Sequence, residues 1–281
     1  RLSIAGVDVI ELAEAHGTPL FIYDEAHLRA RCREALAAFG QGVSYASKAF
    51  LCKAMAKLAH EEGMHIDVAS GGELFVALAA DVPADRLVLH GNNKSLDELR
   101  MARAEGVGRI VIDSFDEIAR LESIAGDFSE PARVLIRITP GVEAHTHEFI
   151  RTGQEDSKFG FSYASGAAKQ AVDRVNASPH FEVVGLHAHI GSQIFAVDSF
   201  EKAIEVVAGI INPLNLSELS IGGGLGVAYV TRRDGSRPAA CTPDQFGRAR
   251  ILFAVAADRD TEHLQDPAHG AAGRACGGTA A

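Results

Sequence analysis

Lys48 stands in the run Tyr45-Ala46-Ser47-Lys48-Ala49-Phe50. A lysine that follows a strand is ordinarily a solvated charge. Small and apolar flanks on both sides predict that this one points into the protein. A buried amine loses proton affinity and becomes nucleophilic toward carbonyl groups, the chemistry of a Schiff-base lysine. Gly222-Gly223-Gly224-Leu225-Gly226 follows the run Leu219-Ser220-Ile221. Such a glycine run is either a flexible turn or a cradle whose backbone N–H groups approach a phosphate. His187-Ala188-His189 puts two imidazoles on one face of a strand. The plain reading is one buried, hydrogen-bonded histidine beside one that faces a site; the competing reading is a metal pair. Asp67, His90 with Asn92 and Asn93, and Arg137 complete the set. Taken singly, Asp67 reads as a strand-end cap and Glu73 as a first-turn helix acid.

These residues fall at the ends of a repeating pattern. Strand-like runs cover 43–46, 65–68, 86–90, 109–113, 133–138, 183–190 and 219–221. Helical stretches lie between them at 51–62, 73–80, 96–105, 115–124, 167–175 and 200–211, with Asp97 and Asp116 suited to first helical turns. Strand and helix in alternation mean a parallel sheet with right-handed crossovers. Early repeats of about 20–25 residues fit an α/β (β/α)8 barrel of TIM-like form, in which residues at strand C-termini face the site. Seven strands are counted; an eighth is not evident. A further strand at Leu20-Phe21-Ile22-Tyr23-Asp24, then a helix over 25–39, is predicted to lead into the barrel. The expected division is thus 1–24 as the lead-in strand, 25–230 as the barrel, and 231–281 as an atypical tail.

From Thr231 the composition changes to Arg-, Gly- and Ala-rich sequence without a core pattern. The tail is expected to be unrelated in origin to the rest, as a shifted reading frame would make it; other frames holding no family-like continuation would contradict this. The 281 residues carry a formal net charge of -10, which argues against nucleic acid or an anionic membrane as partner. No apolar run is long enough to span a bilayer. The cysteines, Cys32, Cys52, Cys241 and Cys276, form no paired spacing, which fits a reducing, cytoplasmic setting.

In order along the chain, several segments together resemble the fold-type III pyridoxal-phosphate enzymes. They are Tyr45 to Phe50, Asp67-Val-Ala-Ser-Gly-Gly-Glu73, Arg137-Ile-Thr-Pro-Gly141, His187-Ala-His-Ile-Gly-Ser-Gln193 and Gly222 to Gly226. His90-Gly-Asn-Asn-Lys-Ser95, the stretch from His145-Thr-His to Thr152-Gly153, and Ser157-Lys-Phe-Gly-Phe161 are typical of the diaminopimelate decarboxylase branch rather than the polyamine branch. The resemblance implies a barrel of the alanine racemase type and pyridoxal 5'-phosphate as cofactor. It implies Lys48 as the covalent anchor, His189 stacked on the pyridine ring, and Ser192 with Gly222, Gly223 and Gly224 on the phosphate. Arg137, Asp67, Glu73 and His90 would line the cofactor pocket. Lys48 and His189 would be the catalytic pair. The implied reaction takes meso-diaminopimelate to L-lysine and carbon dioxide, in an enzyme family that is usually homodimeric.

Against the metal reading, barrel metal hydrolases carry their histidine pair on the first strand, where this chain has Lys48; no metal is expected. Two departures from the family pattern matter. No glutamate-proline-glycine-arginine motif, whose acid pairs with the ring nitrogen, follows Tyr229, and Asp258 and Asp260 are the only stand-ins. Cys241 and Cys276 lie in no matching context, and no tyrosine follows Tyr229. The eighth strand and the C-terminal β domain are therefore expected to be missing, and an inactive, truncated family member or another decarboxylase or racemase of this fold type are the alternatives.

Overall fold

The computed structural model describes residues 1–141, 158–192, 194, 198–214 and 216–226. The chain opens on a small hairpin, β1 (Ser3–Ile4) and β2 (Val7–Asp8), and on α1 (Val9–His16), whose N-terminus Asp8 caps by accepting from Ile10 N at 2.8 Å. Helix α1 stands where the composition marks no element. The strand expected at Leu20–Asp24 does not form: these residues run as irregular chain, with Phe21 85% exposed. A strand needs a neighbour to complete its ladder, and no described strand pairs with this segment. Next comes α2 (Glu25–Phe39), capped by Asp24.

The seven predicted strands all form. In chain order the remaining elements are β3 (Ser44–Ala46), α3 (Lys53–Glu61), β4 (His65–Val68), α4 (Gly71–Leu78), β5 (Leu87–Leu89), α5 (Leu96–Glu105), β6 (Arg109–Ile112), α6 (Phe115–Ile124), β7 (Ala132–Thr139), β8 (Phe161–Ser162), α7 (Ala167–Ala177), β9 (Phe181–His187), α8 (Asp198–Leu214) and β10 (Glu218–Ser220). The sheet order is β3-β4-β5-β6-β7-β9-β10, parallel throughout, with the short β8 paired to β7 off that path. Ser70, Ser95 and Ser114 cap α4, α5 and α6, each accepting from the backbone N–H three residues on. At α5, Glu98 reaches back to Ser95 N, closing a capping box worth about 1 kcal/mol.

Two apolar layers follow from the strand alternation. Side chains on the outer face, Ile66, Leu87, Leu89, Ile110, Ile112 and Ile136 among them, pack under the helices; Val88, Val111, Leu135 and Val184 fill the inner face. The sheet curls. His90, just past β5, and His187 on β9 are three strand spacings apart, about 14 Å in a flat sheet. Their ring centroids stand 5.0 Å apart. Arg109 on β6 likewise forms a two-pronged ion pair with Glu218 on β10. A cavity of about 400 Å³ touches both edge strands, at Ser44 and Ala46 on one side and Glu218 and Ser220 on the other. Among the described residues this is the wall of an α/β barrel, seven strands round, as the alternating pattern predicted. The proposed eighth strand, Asp258, Asp260, Cys241, Cys276, the pair His145 and His147, Thr152, Gly153 and Ser157 lie outside the described residues. No described helix is long and apolar enough to cross a membrane.

Candidate active site

The C-terminal ends of the strands carry the polar residues. Lys48 sits in a 3-10 turn, Ser47–Ala49, directly after β3, and is exposed. The apolar flanks do not bury it; they anchor the turn on either side. Ser47, 2% exposed, donates to Glu73 Oε2 at 2.8 Å. Tyr45 Oη donates to the Phe50 carbonyl at 2.6 Å, and the Phe50 ring stacks on Tyr23 at 4.5 Å between centroids. Glu73 is thereby a support for the lysine turn, tied also to Ala69 N at 2.7 Å. The expectation of a desolvated lysine gives way to one of a presented lysine, held at the rim by neighbours that are themselves fixed. Its charge acts on His189.

Across the mouth, Asp67 Oδ2 lies 3.4 Å from His90 Nε2. The His90 ring meets His187 edge-on. His187 is buried, and its Nδ1 bonds Ser220 Oγ at 2.8 Å; Ser220 Oγ in turn accepts from Gly222 N at 3.4 Å. The two histidines divide as the plain reading had it: His187 is the buried, hydrogen-bonded one and His189 faces the glycine run. Gly223 N donates to His189 Nδ1 at 3.3 Å, which requires that nitrogen to be unprotonated. Burial, followed by the charges of Arg137 and Lys48, pushes the His189 pKa down to about 3.

The glycines are needed where they stand. A Cβ at Gly222 would lie 2.6 Å from His189 Nδ1, and one at Gly224 (φ +106°) would overlap the Gly191 carbonyl oxygen. The backbone of Ile194 pairs with Leu225, Ile194 N donating to the Gly224 carbonyl at 2.8 Å. This pairing sets Ser192, half-buried, beside Gly224, so the two segments expected to hold a phosphate are adjacent. Arg137 is not a free cation: its Nη1 donates to Asp113 Oδ2 at 3.0 Å and its guanidinium lies over the Phe159 ring. The structure thus brings together Asp67, His90, His189, Ser192 and Gly222 to Gly224, sets Lys48 on the rim, and engages Arg137 with Asp113. Sequence reasoning missed Ser220, Asp113, Lys94 and Glu117. Asp113 directly follows β6, at the same end of the sheet as Asp67 near the end of β4, and that is the available signal; nothing marks Ser220. Among the described residues, no group of three metal-ligating side chains forms.

Burial holds three imidazoles neutral, and this predicts a pH dependence. His65 is pushed down to about 4 by burial and by Arg86 and Arg109; His187 falls well below its ordinary value through burial, then His90 and Arg137. Below about pH 6.5 the unfolded chain binds protons that the fold refuses, so stability is lost as pH falls from there toward the folded values. The slope is at most about 1.4 kcal/mol per pH unit for each imidazole. The unfolding midpoint is expected to be several degrees lower at pH 5 than at pH 7; equal midpoints would contradict it.

Comparison with known proteins bears on this geometry. The family described as pyridoxal-dependent decarboxylase, pyridoxal binding domain, matches residues 25–243. Diaminopimelate decarboxylase of Mycobacterium tuberculosis is 52% identical over 243 residues, covering 82% of this chain and 54% of that protein. The Bacillus subtilis diaminopimelate decarboxylase is 48% identical over 240 residues, 82% of this chain and 55% of that one. The chain thus spans about half the length of the curated relatives it matches. Among solved structures, diaminopimelate decarboxylase from M. jannaschii in complex with L-lysine superposes with a TM-score of 0.79 at 31% identity, covering 88% of this chain and 59% of that chain. The Helicobacter pylori enzyme complexed with L-lysine gives 0.77 at 27% identity, with 86% and 62% covered.

Proposed function

Because the chain belongs to the pyridoxal-dependent decarboxylase family, whose pyridoxal-binding domain it matches, we propose that it holds pyridoxal 5'-phosphate at the C-terminal mouth of the sheet and serves the decarboxylation of meso-diaminopimelate to L-lysine and carbon dioxide. The observation that carries the reading is the cradle at Gly222 to Gly224, shaped by backbone that side chains would block, with a neutral imidazole hydrogen-bonded into it. These residues fit the group. The Gly222 and Gly223 N–H groups make only long internal bonds, 3.4 Å to Ser220 Oγ and 3.3 Å to His189 Nδ1, which a phosphate would replace; a neutral imidazole suits a flat aromatic ring, and the exposed amine of Lys48 is accessible to an aldehyde.

Lys48 would hold the cofactor covalently, Ser192 with Gly222, Gly223 and Gly224 would hold its phosphate, and His189 would lie against its ring. Asp67 and His90 would line the pocket, with Arg137 fixed at its edge by Asp113. When bound, the cofactor supplies the sink for the electron pair left by a departing carboxylate. The chain's own tasks are orientation and proton placement. His189 stays uncharged through the physiological range, so it adds no repulsion to the Lys48 and Arg137 cations. The Asp67–His90 pair can hold a proton at His90 Nε2 beside the mouth. We further propose a homodimer, a cytoplasmic setting, and an amino-acid substrate without nucleic acid or membrane as partner.

The test is release of carbon dioxide from carboxyl-labelled meso-diaminopimelate by the full chain supplied with pyridoxal 5'-phosphate. Release from diaminopimelate alone supports the proposal; release from ornithine or arginine instead would move the chain to the polyamine branch. Cofactor binding with no carbon dioxide from any of the three substrates would contradict turnover by this chain.

A further inference from the structure

Lys94 and Glu117 form a buried ion pair to which the proposed function assigns no task. Each is 2% exposed. Lys94 Nζ donates to the Gly91 carbonyl at 2.7 Å, the Val111 carbonyl at 2.7 Å and Glu117 Oε1 at 2.5 Å. An ammonium has three donors, and all three are engaged, so Lys94 is not a second amine for an aldehyde. The other Glu117 oxygen accepts from Asp113 N at 3.1 Å. The Asp113 carboxylate accepts from Arg137 Nη1 and from Gly160 N. Arg137 lies 4.6 Å over the Phe159 ring, and the Phe159 carbonyl accepts from Thr139 Oγ1 at 2.5 Å.

Two cations and two anions therefore form one chain across the ends of β5, β6 and β7. At one end it grips the loop that begins with His90; at the other it grips Arg137 and the backbone entering β8. Burying three charges and most of a fourth is costly, and a buried ion pair is often replaceable by apolar residues without loss of stability. A stabilising role alone does not account for the arrangement. What the chain does provide is a fixed separation between two segments, 90–94 and 159–161, that no backbone ladder joins.

We propose that Lys94 is a positioning residue: through Glu117 and Asp113 it sets where Arg137 and the backbone of residues 159–161 stand relative to His90 at the cofactor mouth. The part of this that concerns the cofactor rests on the proposed function. The relay itself does not.

The test replaces the pair by apolar residues of similar size, K94M/E117L, in the full chain. Two quantities are read: amide hydrogen exchange in peptides spanning 158–163, which Lys94 does not touch, and the Kd for pyridoxal 5'-phosphate. The double variant is expected to keep a cooperative unfolding transition, to exchange about tenfold faster at 158–163, and to bind the cofactor about tenfold more weakly. A folded variant with unchanged exchange overturns the relay. Faster exchange with unchanged Kd overturns its link to the cofactor mouth. Should K94M/E117L fail to fold, Glu117→Gln keeps the shape but removes the charge and turns one of the two acceptor oxygens into a donor, which breaks the relay at Lys94 or at Asp113 N; the same faster exchange is expected, and none would overturn the proposal. If the unaltered chain binds no pyridoxal phosphate, the proposed function fails, while the exchange arm still decides the relay.

Discussion

Lys48→Ala is expected to leave the fold unchanged and to abolish covalent capture of pyridoxal phosphate. Lys48 is exposed, and the turn that carries it is held by others: Ser47 on Glu73, Tyr45 on the Phe50 carbonyl, Phe50 on Tyr23. Removing an exposed side chain away from caps and networks changes stability by about 0.5 kcal/mol or less. Losing the proposed covalent anchor is a different matter, and a weakening of cofactor binding by about a hundredfold or more, about 2.8 kcal/mol, is expected. On the proposed function, carbon dioxide release should fall to background as well. Comparing thermal midpoints with cofactor titrations checks both halves. A variant that retains cofactor affinity would mean that another amine does the work; Lys94 cannot, since its three protons are committed.

Gly224→Ala should show the reverse profile, damaging structure and binding together. Gly224 has a φ of +106°, where an L side chain is strained by about 1–3 kcal/mol. Its new Cβ would overlap the Gly191 carbonyl, and relieving that contact must part the strand-like pairing of Ile194 with Leu225. Overpacking of this kind costs about 1–3 kcal/mol more. Ser192 follows Gly191, so the shift carries it away from the cradle. The expected outcome is a lower unfolding midpoint and a cofactor affinity reduced by about a hundredfold, a loss of about 2.8 kcal/mol. Gly223→Ala is the control: nothing lies within 4 Å of a Cβ there, so its midpoint should stay near that of the unaltered chain.

Much of this fold was legible because its signals are local. Alternating β-branched runs and Ser- or Asp-capped helices marked all seven barrel strands, and three helices, 25–39, 96–105 and 115–124, ended where composition placed them. Leu20–Asp24 shows the limit. Its residues favour a strand, but pairing is a property of neighbours, and the described residues supply none. Lys48 shows another. Flanking apolar residues suggested burial, whereas in a 3-10 turn successive side chains point in different directions, so Ser47 turns inward and Lys48 outward. The Lys94 to Arg137 relay was illegible for a third reason: its four members lie on three successive repeats, with only Asp113 and Glu117 close in sequence, and the register of β5, β6 and β7 brings the others into contact.

On the proposed function, Lys48 is the amine that captures pyridoxal phosphate. The most direct measurement is borohydride reduction of the full chain after incubation with pyridoxal 5'-phosphate, followed by peptide mapping by mass spectrometry. A single stoichiometric phosphopyridoxyl mass increment is expected on the peptide that contains Lys48, absent from Lys48→Ala. An increment spread over surface lysines, or one centred on any lysine but Lys48, would contradict it.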